Sequence, residues 1–359
     1  MDTKIQLSVV DVERKYAIDP SEVISNGEGM VSWGKENDLP KILGTCYDKS
    51  ATLAAAIDQS VNYVMGDDVV VSEEAALWKE KVNRRGMTMA TLVNHLAYDY
   101  YVYGNFAIQV IFNGLGIPVE LFPLDVTKCR LNKNRDKVYY SKKGWTKYSA
   151  KSEEYPRFGF NEFDPEKATQ IFFYNGAGVR RTYNNAPWAS ALDDVLCEVE
   201  GSRYSLNAIT NGFSARYLLD IPDTANLTDE QKEAIKDGIR EKFCGYDAES
   251  NFMIYFNNDE GKQITVSKIE ADDAPEKFQK IREISKENIF TALRISPLLC
   301  GIGQQTGFST NEFRDAFKLF NRTVAGPIRK VIEDSLNAII NINNAVTIVP
   351  FTITFDNEA

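Results

Sequence analysis

The chain has 359 residues, 43% of them hydrophobic and 26% charged, which is enough for a sizeable core in one large or two ordinary domains. Its formal net charge of −10 argues against tight, static nucleic-acid binding, because neutralising phosphates normally supplies that affinity; it leaves open a protein past which a duplex slides. No run approaches the roughly 18 apolar residues of a membrane span, and MDTKIQLSVVDVERKYAI at the N-terminus is not a signal peptide.

Residues 1–40 read as irregular, ending in SWGKENDLP. Pro40 then opens a helical region with Leu53, Ile57, Val61 and Val64 at helical spacing. Gly66, Asp67 and Asp68 end it, and Val69 to Val71 read as a short strand. A second helix is expected over 87–103, with Met89, Leu92, Val93 and Leu96 on one face. GNFAIQVIFNGLGIPVELFPLD reads as a hairpin, two β-rich runs around the turn signal NGLG. Residues 126–183 should add antiparallel strands, among them ATQIFFYNG, and Pro187 should start a long helix over 187–212.

Further on, LTDEQKEAIKDGIREKF opens with a capping box, Thr228 to Gln231, and carries only a narrow apolar stripe of Ile235, Ile239 and Phe243. NFMIYFNNDEGKQITVSKIE reads as a β-hairpin turning at NNDEG. APEKFQKIREISKENIFTALRI is a helix with Pro275 in its first turn and Phe278, Ile281, Ile284, Ile289 and Leu293 inward. A second capping box, Ser309 to Glu312, opens a long helix with Phe313, Phe317, Phe320 and Val324 on one side and a kink expected at Gly326-Pro327. The sequence AVTIVPFTITF ends it as a β run.

Catalytic constellations are scarce. His95 is the only histidine, it sits on a helical face, and neither HExxH nor GxSxG occurs. The five cysteines, at 46, 129, 197, 244 and 300, form no CxxC pair and read as free thiols. The acid pairs Asp67/Asp68, Asp193/Asp194 and Asp272/Asp273 fall at helix ends or faces and define no metal site. GIGQQTG lacks the lysine of a P-loop and follows a helix rather than a strand. What stands out is RISPLLCGIGQQTGFSTN, residues 294–311: uncharged after Arg294, glycine-rich, with a lone Phe308 between two charged helices. It reads either as an ordinary linker or as a functional loop, since linkers in compact domains are usually shorter and more polar. Arg314, Lys318 and Arg322 follow at i, i+4 and i+8, either a solvated basic face partly offset by Asp315 or a strip beside passing phosphates.

The order of these elements resembles the portal proteins of tailed bacteriophages, over residues 30–343. WGKENDLPKILGTCYDKSATLAAAI followed by VMGDD looks like that family's opening helix. YGNFAIQVIFNGLGIPVELFPLD is similar to its hairpin ending in a Leu-x-Pro-Leu pattern, and NNAPWASALDDVLCEVEGSRYSLNAITNGFSARYLL to its long helix ending in Asn-Gly. ENIFTALRISPLLCGIGQQTGFSTNEFRDAFKLFNRTVAGPIRKVIEDSLN resembles the family's helix, Pro-Leu-Leu-x-Gly loop and following long helix.

The resemblance implies an α+β portal fold: a mixed wing over 1–222, a first stem helix within 223–246, a β-hairpin clip over 247–270 and a second stem helix within 271–296. A tunnel loop over 297–310, a long kinked helix over 311–343 and a C-terminal strand over 344–359, with the crown reduced or absent, complete it. It implies a ring of about twelve copies at one capsid vertex, conducting double-stranded DNA nonspecifically in packaging and ejection. Large terminase, then a tail adaptor, and the major capsid protein would be its partners, in the virion and, during assembly, in the host cytoplasm. Gly301, Ile302, Gly303, Gln304, Gln305, Thr306, Gly307 and Phe308 would form the tunnel loop, and Arg314, Lys318 and Arg322 would touch the DNA backbone. No cofactor, metal, membrane or catalytic residue is implied. The competing readings are a soluble α+β enzyme whose loop covers a ligand, and the connector of a DNA-free phage-derived particle.

Overall fold

The computed structural model describes residues 20–24, 29–145, 151–176, 181–210, 216–221, 228, 230–235, 252–256, 265–269, 274–302 and 310–353. The chain divides into two units, one comprising Met1–Ser190 with Ile289–Ala359 and the other Ala191–Asn288.

In the first unit the expected opening helix is two, α1 (Leu39–Lys49) and α2 (Ala51–Met65). Ser50 separates them: its backbone is extended and its Oγ accepts the Leu53 N–H at 3.1 Å, so it caps α2 rather than continuing α1. Leu53, Ile57, Val61 and Val64 are buried, as their spacing predicts. α2 ends at Gly66 (φ 65°), where a Cβ would collide with the Val349 carbonyl. Strand β1 (Asp68–Val71) then pairs antiparallel with the distant C-terminal strand, Val346–Val349. After the short α3 (Leu77–Glu80), α4 (Met89–Tyr103) is capped by Thr88, and Met89, Leu92, Val93 and Leu96 are fully buried.

The expected hairpin is β2 (Phe106–Phe112) and β3 (Pro118–Leu124); Asn113 Oδ1 accepts the Leu115 and Ile117 N–H groups and holds the turn. The further strands β4 (Cys129–Leu131), β5 (Lys137–Tyr140), β6 (Glu153–Pro156) and β7 (Thr169–Tyr174) are antiparallel to their ladder partners. They form two three-stranded sheets, β3-β2-β7 and β4-β5-β6, joined by a bridge from Arg157 to Ile171. Between them lies a core that includes Val31, Trp33, Ala107, Leu131, Val138 and Phe173. Arg130 is buried there at 1% exposure, its guanidinium between Trp33 and Trp145 and donating to Asn37 and to the Thr127 and Cys129 carbonyls. Burial lowers its pKa to about 10.

In the second unit, α5 (Leu192–Thr210) begins five residues later than Pro187 predicts, because Ala189–Ala191 form a 3-10 turn and Trp188 is fully buried with its Nε1 donating to the Tyr101 carbonyl. α6 (Ala274–Leu293) runs antiparallel to it: Asn288 Nδ2 donates to Asp194 Oδ1 at 2.9 Å, and Arg282 lies over Gly201, where a Cβ would be 3.6 Å from its side chain. The apolar face expected on α6 is only partly inward. Ile289 and Leu293 are buried, but Ile281 and Ile284 are 44% and 49% exposed and Ser285 is buried instead. Phe278 is not among the residues whose side chains are described.

The expected hairpin over 247–270 is corrected. Its two strands exist, as β9 (Phe252–Phe256) and β10 (Thr265–Ile269), but they flank β8 (Arg216–Ile221) and do not pair with each other. β8 is parallel to β9 and antiparallel to β10, Tyr217 facing both Phe252 and Lys268. A parallel pair needs a crossover, and the segment opening at Thr228 lies in it. The capping box is present: Gln231 N–H donates to Thr228 Oγ1 and Thr228 N–H to Gln231 Oε1, and residues 230–235 are helical. Ile239 and Phe243 of the expected stripe, and Asp272/Asp273, lie outside the described residues.

The chain re-enters the first unit at Ile289, within α6, and continues in it through α7 (Thr310–Phe320), a π-helical turn over Asn321–Ala325, α8 (Gly326–Ile340) and β11 (Val346–Val349). The kink expected at Gly326-Pro327 takes the form of that π turn. Pro327 has no N–H for the Thr323 carbonyl, and Gly326 N–H reaches back five residues to the Asn321 carbonyl. The final β run is shorter than expected, four residues.

Candidate functional site

The uncharged stretch starts where α6 ends at Arg294, whose φ of 56° turns the chain. Ser296 precedes a 3-10 turn, Pro297–Cys300, closed by Gly301 in the left-handed region (φ 73°) with its N–H on the Leu298 carbonyl. Glycine suits that position because it carries no Cβ penalty. Gly301 and Ile302 are exposed, with Ile302 N–H donating to the Pro297 carbonyl. Gly303, Gln304, Gln305, Thr306, Gly307, Phe308 and the capping Ser309 lie outside the described residues, so the expected tunnel loop is seen at its entry and at its exit, α7.

One side chain serves both ends. Tyr63 of α2, 4% exposed, donates its hydroxyl to the Leu299 carbonyl at 3.1 Å on the entry side. Its ring meets Phe317 and Phe320 of α7 at centroid distances of 5.5 and 5.6 Å, and Phe351 at 5.9 Å. Such tilted and edge-on contacts exploit the ring quadrupole and fix orientation as well as burying area. Burial pushes the Tyr63 hydroxyl up and keeps it a donor. It likewise raises the neighbouring Cys300 thiol to about 11, so that Cys300 stays protonated near neutrality.

A second fixture lies beneath. Arg329 of α8 is 5% exposed and has its pKa lowered by burial. Its Nη1 donates to the Tyr63 carbonyl at 2.8 Å, and its Nη2 to the side-chain oxygen of Asn321, the first residue of the π turn. Tyr63 and Arg329 thus tie α2, the loop entry, α7 and the π turn together. Sequence reasoning missed both. Tyr63 reads as one more residue of an apolar helix face, and only the placement of Arg329 just after Gly326-Pro327 hints that a cation serves the kink.

The basic trio divides. Phe317 and Phe320 face inward, Phe313 and Val324 are half-buried, and Lys318 and Arg322 are exposed beside Leu319, itself 65% exposed. Arg314 is half-buried. His95 is an exposed residue of α4, and Asp193 and Asp194 occupy the first turn of α5, where carboxylates favour the helix dipole. Cys46, Cys129, Cys197 and Cys300 are free thiols, no metal-holding cluster of acids, cysteines or histidine exists among the described residues, and no described helix is long and apolar enough to cross a membrane.

Comparison with known proteins decides the family. The family model for phage portal proteins matches residues 46–355. The chain belongs to the phage portal protein family. Membership makes it a structural protein of a phage or phage-derived particle rather than an enzyme. A probable portal protein of Haemophilus phage HP1 is 24% identical over 260 residues, 70% of each chain. Among solved structures, an HK97 family phage portal protein from Corynebacterium diphtheriae superposes with a TM-score of 0.55 at 12% identity, covering 86% of this chain and 93% of that one. A chain in the neck of a native gene transfer agent particle gives 0.57 at 14% identity, covering 94% and 88%. At such identities the structures establish a shared fold, and that mixed helix-and-sheet fold is the portal fold. The uncharged stretch and both its anchors fall inside the family match.

Proposed function

We propose that copies of this chain close into a ring of about twelve subunits around a channel that double-stranded DNA crosses during packaging and ejection. The observation that carries it is the family match over residues 46–355, and the neck of the native gene transfer agent particle, whose chain shares the fold, was computed with C12 symmetry. The ring would sit at one capsid vertex in the virion, after assembly in the host cytoplasm, against the major capsid protein. Large terminase and then a tail adaptor would dock on its clip.

Within that reading the stem is assigned anew. The antiparallel pair α5 and α6, fixed by Asp194–Asn288 and Gly201–Arg282, suits a two-helix stem better than a helix within 223–246. That crossover segment and the β10-β8-β9 sheet together would be the clip. Residues 297–310 would be the tunnel loop, standing on Tyr63. Lacking charge, Gly301 to Phe308 give a passing duplex steric contact without phosphate binding that would stall it. Lys318 and Arg322, exposed on α7 and the π turn, would steady the backbone, with Arg314 behind them.

Electron microscopy of the purified protein tests the ring: closed rings support the reading and a compact monomer overturns it. Replacing Arg314, Lys318 and Arg322 together by Gln tests the DNA contact. Altered packaging or DNA retention is expected, and unchanged packaging would count against the trio's role.

A further inference from the structure

The sheets β3-β2-β7 and β4-β5-β6 of the first unit leave a cleft of about 650 Å³ at one end of the space between them. Its floor is Gln109 and Ile111 of β2, Phe122 and Leu124 of β3, and Tyr140 and Tyr155 of β5 and β6. Leu124, Tyr140 and Tyr155 are also the half-buried edge of the inter-sheet core, so the floor is backed by close-packed side chains. The volume lies within the roughly 300–1,000 Å³ typical of ligand sites, which are mostly apolar with a few placed polar groups.

The rim is cationic in a chain of net charge −10. Arg84 and Arg85, from the loop before α4, both stand over the Phe122 ring, at 5.9 and 5.5 Å, and Lys142 closes the other side. Two of the three are already neutralised. Arg84 makes a two-pronged pair with Glu120 at 2.7 and 3.0 Å, and Lys142 pairs with Glu153 at 2.8 Å. Asp125 at the rim pairs with Lys128 at 3.0 Å. Arg85 has no carboxylate partner among the described residues and keeps its guanidinium available above an aromatic floor.

From this arrangement we infer that the cleft is a docking site for an acidic, apolar peptide segment of a partner protein. The segment would seat an aromatic or branched side chain between Phe122, Tyr140 and Tyr155 and place a carboxylate on Arg85. A planar guanidinium held by stacking is well suited to a carboxylate, because little of its freedom is lost on binding. A nucleic-acid backbone fits worse. Arg84 and Lys142 are already paired with Glu120 and Glu153, and the single uncompensated cation left, Arg85, can hold one carboxylate but supplies little of the counterion release on which phosphate binding depends.

The test is selection of a random 12-residue displayed peptide library on the full-length protein, followed by fluorescence anisotropy of the selected peptides. Wild type is compared with Arg85→Glu, with Gln109→Trp, which fills the cleft, and with Lys330→Glu on α8 as a distant control. Both altered cleft positions are exposed or half-buried, and an unchanged far-ultraviolet circular dichroism spectrum and thermal midpoint verify the fold of each variant. Enriched sequences should place Asp or Glu beside an aromatic or aliphatic residue, and their binding should weaken at least tenfold in both cleft variants but not in the control. No enrichment, enriched sequences without acids, or binding equal in all four proteins overturns the assignment. So does a labelled 20-base-pair duplex that binds wild type and loses binding in the same two variants, which would make the cleft a nucleic-acid site.

Discussion

Removing the Tyr63 hydroxyl measures how firmly the loop entry is anchored. In Tyr63→Phe the ring keeps its contacts with Phe317, Phe320 and Phe351, while the hydroxyl's hydrogen bond to the Leu299 carbonyl and its interaction with the Gln59 side chain are lost. A buried neutral hydrogen bond contributes about 1 kcal/mol, and leaving its acceptor unsatisfied raises the cost toward about 2 kcal/mol. Tyr63→Ala also removes a buried ring with three aromatic neighbours, a change that costs about 3–5 kcal/mol in protein cores. Urea unfolding followed by tryptophan fluorescence is the assay. Trp33, Trp78, Trp145 and Trp188 are all four tryptophans of the chain and all lie in the first unit, so the signal reports the unit that contains Tyr63. Protein concentration must be held constant, because assembly shifts apparent stability. The second readout is chymotryptic cleavage after Phe308, which should quicken in the order wild type, Tyr63→Phe, Tyr63→Ala. If Tyr63→Phe leaves both the midpoint and the cleavage rate unchanged, the hydroxyl does not hold the loop entry and the reasoning fails.

Gly104→Ala should cost well over 1 kcal/mol, because φ is 74° there and the new Cβ meets the Asn185 carbonyl; a thermal midpoint within a degree of wild type would refute this. Thr228→Ala should cost its helix about 1 kcal/mol, read as faster hydrogen exchange at the Gln231 amide, whose N–H loses its Oγ1 acceptor. Alkylation of Cys300 by iodoacetamide, isolated by replacing the other four cysteines with Ser, should rise about tenfold per pH unit up to its raised pKa of about 11, since the thiolate is the nucleophile. A plateau near the ordinary thiol value of 9.0 would show that burial does not govern it.

Much of this protein was legible in local signals. The spacing of Met89, Leu92, Val93 and Leu96 is enough to place α4 and its buried face, because a 3.6-residue period is written in consecutive residues. Asn113 and the glycines after it specify the β2–β3 hairpin, since a turn and its two strands are neighbours in sequence.

What the sequence could not decide was partnership. β9 and β10 read as a hairpin because they are adjacent, yet both pair with β8, and nothing in RYLLDI announces which strands will flank it. The same holds for the helices. The apolar stripe on α6 does not say that its neighbour is α5, where Gly201 leaves room for Arg282, and Ile281 and Ile284 stand exposed despite lying on that stripe. Tyr63 and Arg329 became visible only when α2 and α8, more than 250 residues apart in sequence, were brought together. Local propensity is set by the residues that carry it, whereas pairing is chosen by burial and hydrogen bonding between segments that meet only in the folded chain.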